Sequence, residues 1–202
     1  MSIRIVIADD QALVRGALAA LLALEEDIEV VAVAGDGREA LRIVGEHTPD
    51  VCLLDIQMPH MDGIETTQRL REEYPDVRVL IVTTFARPGY LRSALEAGAS
   101  GFIAKDTPAH ELADAVRTIH SGLRVLDPKL TQDALVDGAS PLSPREREIL
   151  LLAADGRSAA QIAADVFLSA GTVRNNLSAA IGKTGASSRA QAVRIAQDKG
   201  WI

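Results

Sequence analysis

The 202-residue chain is 48% hydrophobic and 24% charged, enough apolar material for one large core or two small ones and too much for a disordered chain. A single cysteine, Cys52, excludes an internal disulfide and points to a reducing compartment, and the four scattered histidines (His47, His60, His110 and His120) lack zinc-type partners. The net charge of −7 is uneven: residues 1–140 hold 13 Lys and Arg against 23 Asp and Glu, whereas residues 141–202 hold 8 against 5. An acidic front and a mildly basic back imply two units with different partners. No apolar run approaches the roughly 18 residues of a membrane span. Met1-Ser2-Ile3-Arg4 leads straight into an apolar run with no cleavage pattern, so the cytoplasm is the expected location.

In chain order, the first unit alternates strand and helix patterns. Strand Ile3–Ala8 is followed by helix Ala12–Leu24, strand Val30–Ala34 by helix Gly37–His47, and strand Val51–Leu54 by helix Ile64–Tyr74. Strand Val79–Val82 then precedes helix Gly89–Ala97, and strand Gly101–Ala104 precedes helix His110–His120. The strands are short, rich in Val and Ile and apolar on both faces, as a sheet covered by helices on each side requires. Five such repeats predict an α/β fold, a doubly wound five-stranded parallel sheet, over residues 1–121.

Residues 122–141 read as a linker, ending in Asp137-Gly138-Ala139-Ser140-Pro141. Residues 142–202 read as a small all-α domain of four helices. Ser143-Pro144-Arg145-Glu146 opens the first with an N-cap, a first-turn proline and a capping box, and Asp155-Gly156 closes it. Ser158 starts the second, which runs to about Val166. A turn through Phe167 and Leu168 leads to Ser169, the N-cap of a helix through Lys183, and Ser188–Lys199 is the fourth.

Four strand ends carry polar groups that apolar strands do not need. Asp9 and Asp10 follow the first strand, Asp55 the third, Thr83 ends the fourth and Lys105 follows the fifth. Ligand sites of open parallel sheets lie outside the carboxyl ends of the strands, so these side chains are expected to converge. Three carboxylates repel one another unless a cation shares them, and few hard oxygen ligands suit Mg²⁺. With a lysine and a hydroxyl opposite, the set is an inventory for handling a phosphoryl group.

Over residues 1–121 the chain resembles the flavodoxin-like receiver domains of bacterial two-component systems. The resemblance rests on Ile7-Ala8-Asp9-Asp10, Leu54-Asp55-Ile56-Gln57-Met58-Pro59, Asp62-Gly63, Thr83, Ala97-Gly98-Ala99 and Gly101-Phe102-Ile103-Ala104-Lys105. It implies that Asp55 accepts a phosphoryl group from a sensor histidine kinase. It further implies that Asp9, Asp10, Asp55 and the backbone carbonyl of Gln57 hold Mg²⁺, that Lys105 pairs with phosphoryl oxygens, and that Thr83 and Phe102 switch. Thr84 is a rival for the switch position, but Thr83 has the spacing of the family pattern. Asp106 stands where many receivers have a proline, often at a cis peptide, which leaves the charge pairing intact.

In the second unit, Val173, Leu177, Ala180 and Ile181 form an apolar helix face, and Arg174, Asn175 and Ser178 offer short polar groups suited to base edges. Ser169 and Thr172 sit at an N-terminus whose free N–H groups suit phosphate. Residues 142–199 resemble the helix-turn-helix domain of NarL/LuxR-class regulators through Leu142-Ser143-Pro144-Arg145-Glu146-Arg147-Glu148, Gln161-Ile162-Ala163, Leu168-Ser169, Thr172-Val173-Arg174, Lys183 and Ser188-Arg189-Ala190. The resemblance implies that Arg174, Asn175 and Ser178 face the major groove of promoter DNA, that Ser169, Thr172 and Lys183 hold phosphates, and that the last helix pairs two subunits. Ala160-Gln161 departs from the family's Lys-Glu, Thr184 replaces a common Leu, and Gly171 and Gly182 lower helix propensity, so monomer binding is expected to be weak and to rely on dimerisation.

Thr83 to Tyr90 (TTFARPGY), Gly171-Thr172-Val173-Arg174-Asn175 and Lys199-Gly200-Trp201 are similar to the DesR-type subgroup, which implies membrane-lipid genes as a target. The expected function is a phosphorylation-gated, dimerising transcription regulator without an external substrate. Three other readings stay open at this point. One is an aspartate-phosphate hydrolase, although Gln57 stands where such enzymes carry a second acid. The others are a constitutive DNA binder with a receiver scaffold, and a helical interaction bundle.

Overall fold

Burial on both faces explains why the strands read as near-continuous Val, Ile and Leu. In the computed structural model, which describes residues 2–84, 88–127, 131 and 140–202, the first unit runs β1 (Ile3–Ala8), α1 (Ala12–Leu22), β2 (Ile28–Ala34), α2 (Gly37–His47), β3 (Val51–Leu54), α3 (Gly63–Glu73), β4 (Arg78–Thr83), α4 (Pro88–Glu96), β5 (Gly101–Ala104), α5 (Ala109–His120) and β6 (Val125–Leu126). Ile5, Ile7, Val51, Leu53, Leu80, Val82 and Ile103 pack with Leu22 of α1 and Leu112, Val116 and Ile119 of α5. The alternate residues Val6, Cys52, Leu54, Val79, Ile81 and Phe102 are buried as well.

All pairings are parallel, in the order β2-β1-β3-β4-β5-β6. The expected five strands are therefore corrected to six. Val125 and Leu126, read from sequence as linker, pair with Gly101 and Phe102 of β5. Val125 N–H donates to the Ser100 carbonyl (3.2 Å) and Asp127 N–H to that of Phe102 (3.3 Å). The second strand also starts earlier than expected, at Ile28, because Ile3 and Ile28 stand in register.

Caps place the loops around the sheet edge. Asp36 accepts from Glu39 N–H at the start of α2 (2.9 Å), and Asp62 accepts from Glu65 N–H at the start of α3 (2.8 Å). Helix α2 ends on Thr48 in the left-handed region (φ 45°), where a β-branched residue is strained. Exchanging it for glycine is expected to stabilise the receiver by about 1 kcal/mol, read as a higher urea midpoint at unchanged slope.

The second unit consists of α6 (Pro144–Ala154), α7 (Ala159–Asp165), α8 (Ala170–Thr184) and α9 (Arg189–Asp198). Ser143 and Ser158 form complete capping boxes with Glu146 and Gln161, and Ser169 and Ser188 cap α8 and α9. Ile149, Leu150, Ile162, Val173, Leu177, Ala180, Ala192 and Ala196 form its core. Gly171 and Gly182 do not interrupt α8, and Thr184 tolerates its position by returning its hydroxyl to the Ala180 carbonyl (2.8 Å). Phe85, Ala86 and Arg87 of the subgroup motif, and Asp137, Gly138 and Ala139 of the linker end, lie outside the described residues.

Candidate functional site

Parallel strands of one sheet end at a common edge, and there the structure brings the strand-end residues together. Lys105 Nζ lies 2.6 Å from Asp9 Oδ2 and 3.2 Å from Asp55 Oδ2, so one ammonium bridges two carboxylates. Asp9, Asp55 and the Lys105 side chain are nearly sealed from solvent, whereas Asp10 is exposed. One oxygen from each of Asp9, Asp10 and Asp55 lies within 4.8 Å of the others. This all-oxygen donor set, open on the Asp10 side, fits a hard and partly hydrated divalent cation such as Mg²⁺.

Backbone bonds hold these groups in place. Asp9 Oδ1 accepts the Gln11 N–H (2.9 Å), and the Arg15 guanidinium donates to the Asp9 carbonyl, which fixes the β1–α1 loop. Asp55 N–H donates to the Ala8 carbonyl and Gly63 N–H to the Ile56 carbonyl, each at 2.9 Å. Thr83 is fully buried at the end of β4, and its carbonyl accepts the Lys105 N–H (2.9 Å), while its rival Thr84 is exposed. Phe102 is fully buried in β5, and Gln57, two residues past Asp55, is exposed. The peptide after Lys105 is trans, as every described peptide is.

Burial pushes the Asp55 carboxyl above its ordinary pKa, and the nearby Lys105 charge offsets this only in part. A carboxylate so placed is poorly solvated. Cys52 is buried in β3 with its thiol pushed up to about 12 by desolvation, which makes it inert core.

On α8 the buried side is Val173, Leu177 and Ala180, while Thr172, Arg174, Asn175 and Ser178 are turned outward or only partly covered. Ser169 Oγ accepts the Thr172 N–H (3.0 Å) and shares a hydrogen bond with the Thr172 hydroxyl (2.9 Å). Lys183 is placed differently from the other expected DNA contacts. Its ammonium lies 2.7 Å from Glu146 Oε2 on α6, and that carboxylate, 5% exposed, also accepts the Ser143 N–H (2.6 Å).

Sequence reasoning left Arg15 and Gly63 without a role, and gave Glu146 its capping box but not its pairing with Lys183. Asp62-Gly63 was visible as a motif, but its reason was not. A Cβ on Gly63 would stand 2.1 Å from the Asp55 carbonyl oxygen, so only glycine lets α3 start beneath the end of β3.

The comparisons agree with this geometry. A family model described as "Response regulator receiver domain" matches residues 5–117, and one described as "Bacterial regulatory proteins, luxR family" matches residues 140–196. The transcriptional regulatory protein DesR of Bacillus subtilis (strain 168) is 42% identical over 200 residues, covering 99% of each chain. The uncharacterized transcriptional regulatory protein YvfU of the same strain is 46% identical, covering 99% of this chain and 100% of that one. Among solved structures, the response regulator ChrA of a heme-sensing two-component system matches with a TM-score of 0.61 at 36% identity, covering 100% of this chain and 99% of that chain. The chain therefore belongs to the two-component response regulators that join a receiver to a LuxR-type DNA-binding domain, a family of transcription regulators rather than enzymes with an external substrate.

Proposed function

We propose that this regulator is gated by phosphorylation of Asp55. The observation that carries the reading is the buried Asp9–Lys105–Asp55 bridge at the sheet edge. An Asp55 carboxylate oxygen attacks the phosphorus of a phosphohistidine on a sensor kinase. The P–N bond breaks, and the electron pair leaves with the imidazole, which takes up a proton. Mg²⁺, held by Asp9, Asp10, Asp55 and the Gln57 carbonyl, would supply charge neutralisation. Lys105 can move from its two carboxylates to the new phosphoryl oxygens, and the Thr83 hydroxyl can donate to them. Phe102 repacks behind Thr83. The exposed apolar side chains of Leu13, Leu21 and Leu24 around α1, which starts just past Asp10, support a protein as phosphoryl donor.

Phosphorylation then promotes a homodimer that presents two α8 helices to promoter half-sites about one DNA turn apart. Arg174, Asn175 and Ser178 read bases, and Ser169 and Thr172 hold phosphates. The receiver takes residues 1–121 together with the β6 strand Val125–Leu126, the rest of 122–141 is linker and 142–202 is the DNA-binding domain, and the protein works in the cytoplasm; none of its described helices is long and apolar enough to cross a membrane. The DesR-type resemblance supports membrane-lipid genes as the target.

Selection of genomic fragments on the purified protein, with and without beryllofluoride and Mg²⁺, tests the reading. A two-fold-related site enriched only with the mimic supports it, and equal enrichment in both arms sinks the gating. Arg174→Ala is expected to cost about 1–3 kcal/mol of specific binding and to relax the base preference at one position, measured by titration of mutated duplexes. An unchanged preference removes Arg174 from readout.

For Lys183, proposed from the family as a phosphate contact, the Glu146 pair supports a strut between α6 and α8 instead. Burial pushes the Glu146 carboxyl up, but hydrogen bonds from Lys183 and Ser143 outweigh it and hold the pKa below the ordinary value. A depressed folded-state pKa gives stability that is present above the unfolded value and lost as pH falls through the folded one. Lys183→Ala is thus expected to melt lower at neutral pH and to converge with wild type at acid pH. Its DNA affinity should keep the wild-type salt slope, whereas a slope smaller by about 1 would return Lys183 to the phosphates.

A further inference from the structure

Phe167 sits where the fold has no use for it. Helix α7 ends on Val166, and the Leu168 N–H returns to the Ala163 carbonyl (2.9 Å), closing a turn of the Schellman type. That motif forces its C′ residue, Phe167, to a positive φ of 54°. Glycine is the usual occupant, because a side chain there meets the following carbonyl. The apolar contact of the turn is made by its neighbour Leu168, which packs on the core, while Arg145 holds the Val166 carbonyl from α6 (3.3 Å). Phe167 is 94% exposed, and among the described residues of this unit the next large apolar side chain to stand out is Leu151, at 54%. An aromatic ring that is both strained and unburied contributes nothing to the folded chain. Its use lies outside the chain.

Position names the partner. Phe167 lies two residues before Ser169, the N-cap of α8, so its Cα is within about 7 Å of that of Ser169. A ring reaching a further few ångströms spans the distance between neighbouring phosphates on one strand. We infer that Phe167 is a DNA-backbone contact that packs its ring on the apolar face of a deoxyribose next to the phosphate held at the start of α8. This rests on the DNA-binding reading above and extends it. The contact carries no charge and touches no base edge, so it strengthens binding to every sequence alike and fixes how α8 enters the groove.

The test compares wild type, Phe167→Gly, Phe167→Tyr and Arg174→Ala, each full-length with beryllofluoride and Mg²⁺, on a duplex recovered by the fragment selection. Phe167→Gly is expected to bind about tenfold more weakly, the scale of losing a partly buried aromatic contact. Its salt slope should be unchanged, since no phosphate charge is lost, and its base preference should equal that of wild type. It should also melt no lower than wild type, because the backbone strain is relieved, which separates lost binding from lost folding. Phe167→Tyr should retain most of the affinity. Wild-type affinity in Phe167→Gly, with Arg174→Ala still impaired, overturns the Phe167 assignment alone. So does a variant that binds normally but fails in transcription with purified RNA polymerase, which would hand the ring to a protein partner. A wild type that binds no duplex overturns the DNA reading and this inference together.

Discussion

Asp55→Asn is expected to take up no acid-labile phosphate from a phosphorylated kinase or a small phosphodonor, and to lose the gain in DNA affinity that the proposed gating requires. The same protein should melt a few degrees higher than wild type, about what 1 kcal/mol produces in a chain of this size. Both effects follow from one environment. Desolvation raises the pKa of Asp55 above its unfolded value, with Lys105 opposing, so the ionised carboxylate weakens the folded state. A raised folded-state pKa means that the group's favourable contribution is complete below the unfolded pKa and is lost as pH rises through the folded one. The stability advantage of Asn should therefore grow as pH rises through the folded-state pKa of Asp55 and vanish in acid, where the carboxyl is protonated in both states. Calorimetry at two pH values, together with phosphate labelling, checks this. Labelling that survives the substitution would move the acceptor elsewhere, and an advantage that persists in acid would remove desolvation as its cause.

Gly63→Ala is expected to have the second large effect. The added methyl would meet the Asp55 carbonyl oxygen at 2.1 Å and the Ile56 Cα at 3.1 Å, and neither is the flexible end of a side chain. Relief requires moving the backbone of Asp55 or withdrawing the start of α3, which costs about 3 kcal/mol. Because the moved atoms belong to Asp55, the rate of phosphoryl uptake should fall even in the fraction that remains folded. Urea unfolding gives the first quantity, and labelling kinetics at low temperature the second. Wild-type stability in the Gly63→Ala variant would mean that the α3 loop is softer than its close packing implies.

The pocket was legible because its chemistry is tied to topology. A parallel sheet delivers the residues after β1, β3, β4 and β5 to one edge, so Asp9, Asp55, Thr83 and Lys105 could be assembled from spacing alone. What spacing could not show was that Lys105 already bridges Asp9 and Asp55. Lys183 illustrates the opposite case. At the end of a recognition helix a lysine looks free for phosphate, but its partner Glu146 is 37 residues away, and no local pattern records the pair. Phe167 read simply as part of a turn, because neither a positive φ nor near-total exposure leaves a mark in composition. The capping serines of α6 to α9 were all visible, since an N-cap is a local signal.

The sixth strand escaped notice because two residues carry no periodicity, and it bears on any attempt to study the receiver alone. The carbonyls of Ser100 and Phe102 are satisfied by residues that lie beyond α5. A receiver severed after Ser121 would leave those carbonyls bare along β5, turning a covered strand into an open sheet margin beside a hydrophobic interior. Such a margin invites a neighbouring copy to dock strand against strand. Self-association of a fragment cut there would report the wound rather than the signal, whereas a fragment that ends beyond Asp127 keeps its own seam closed.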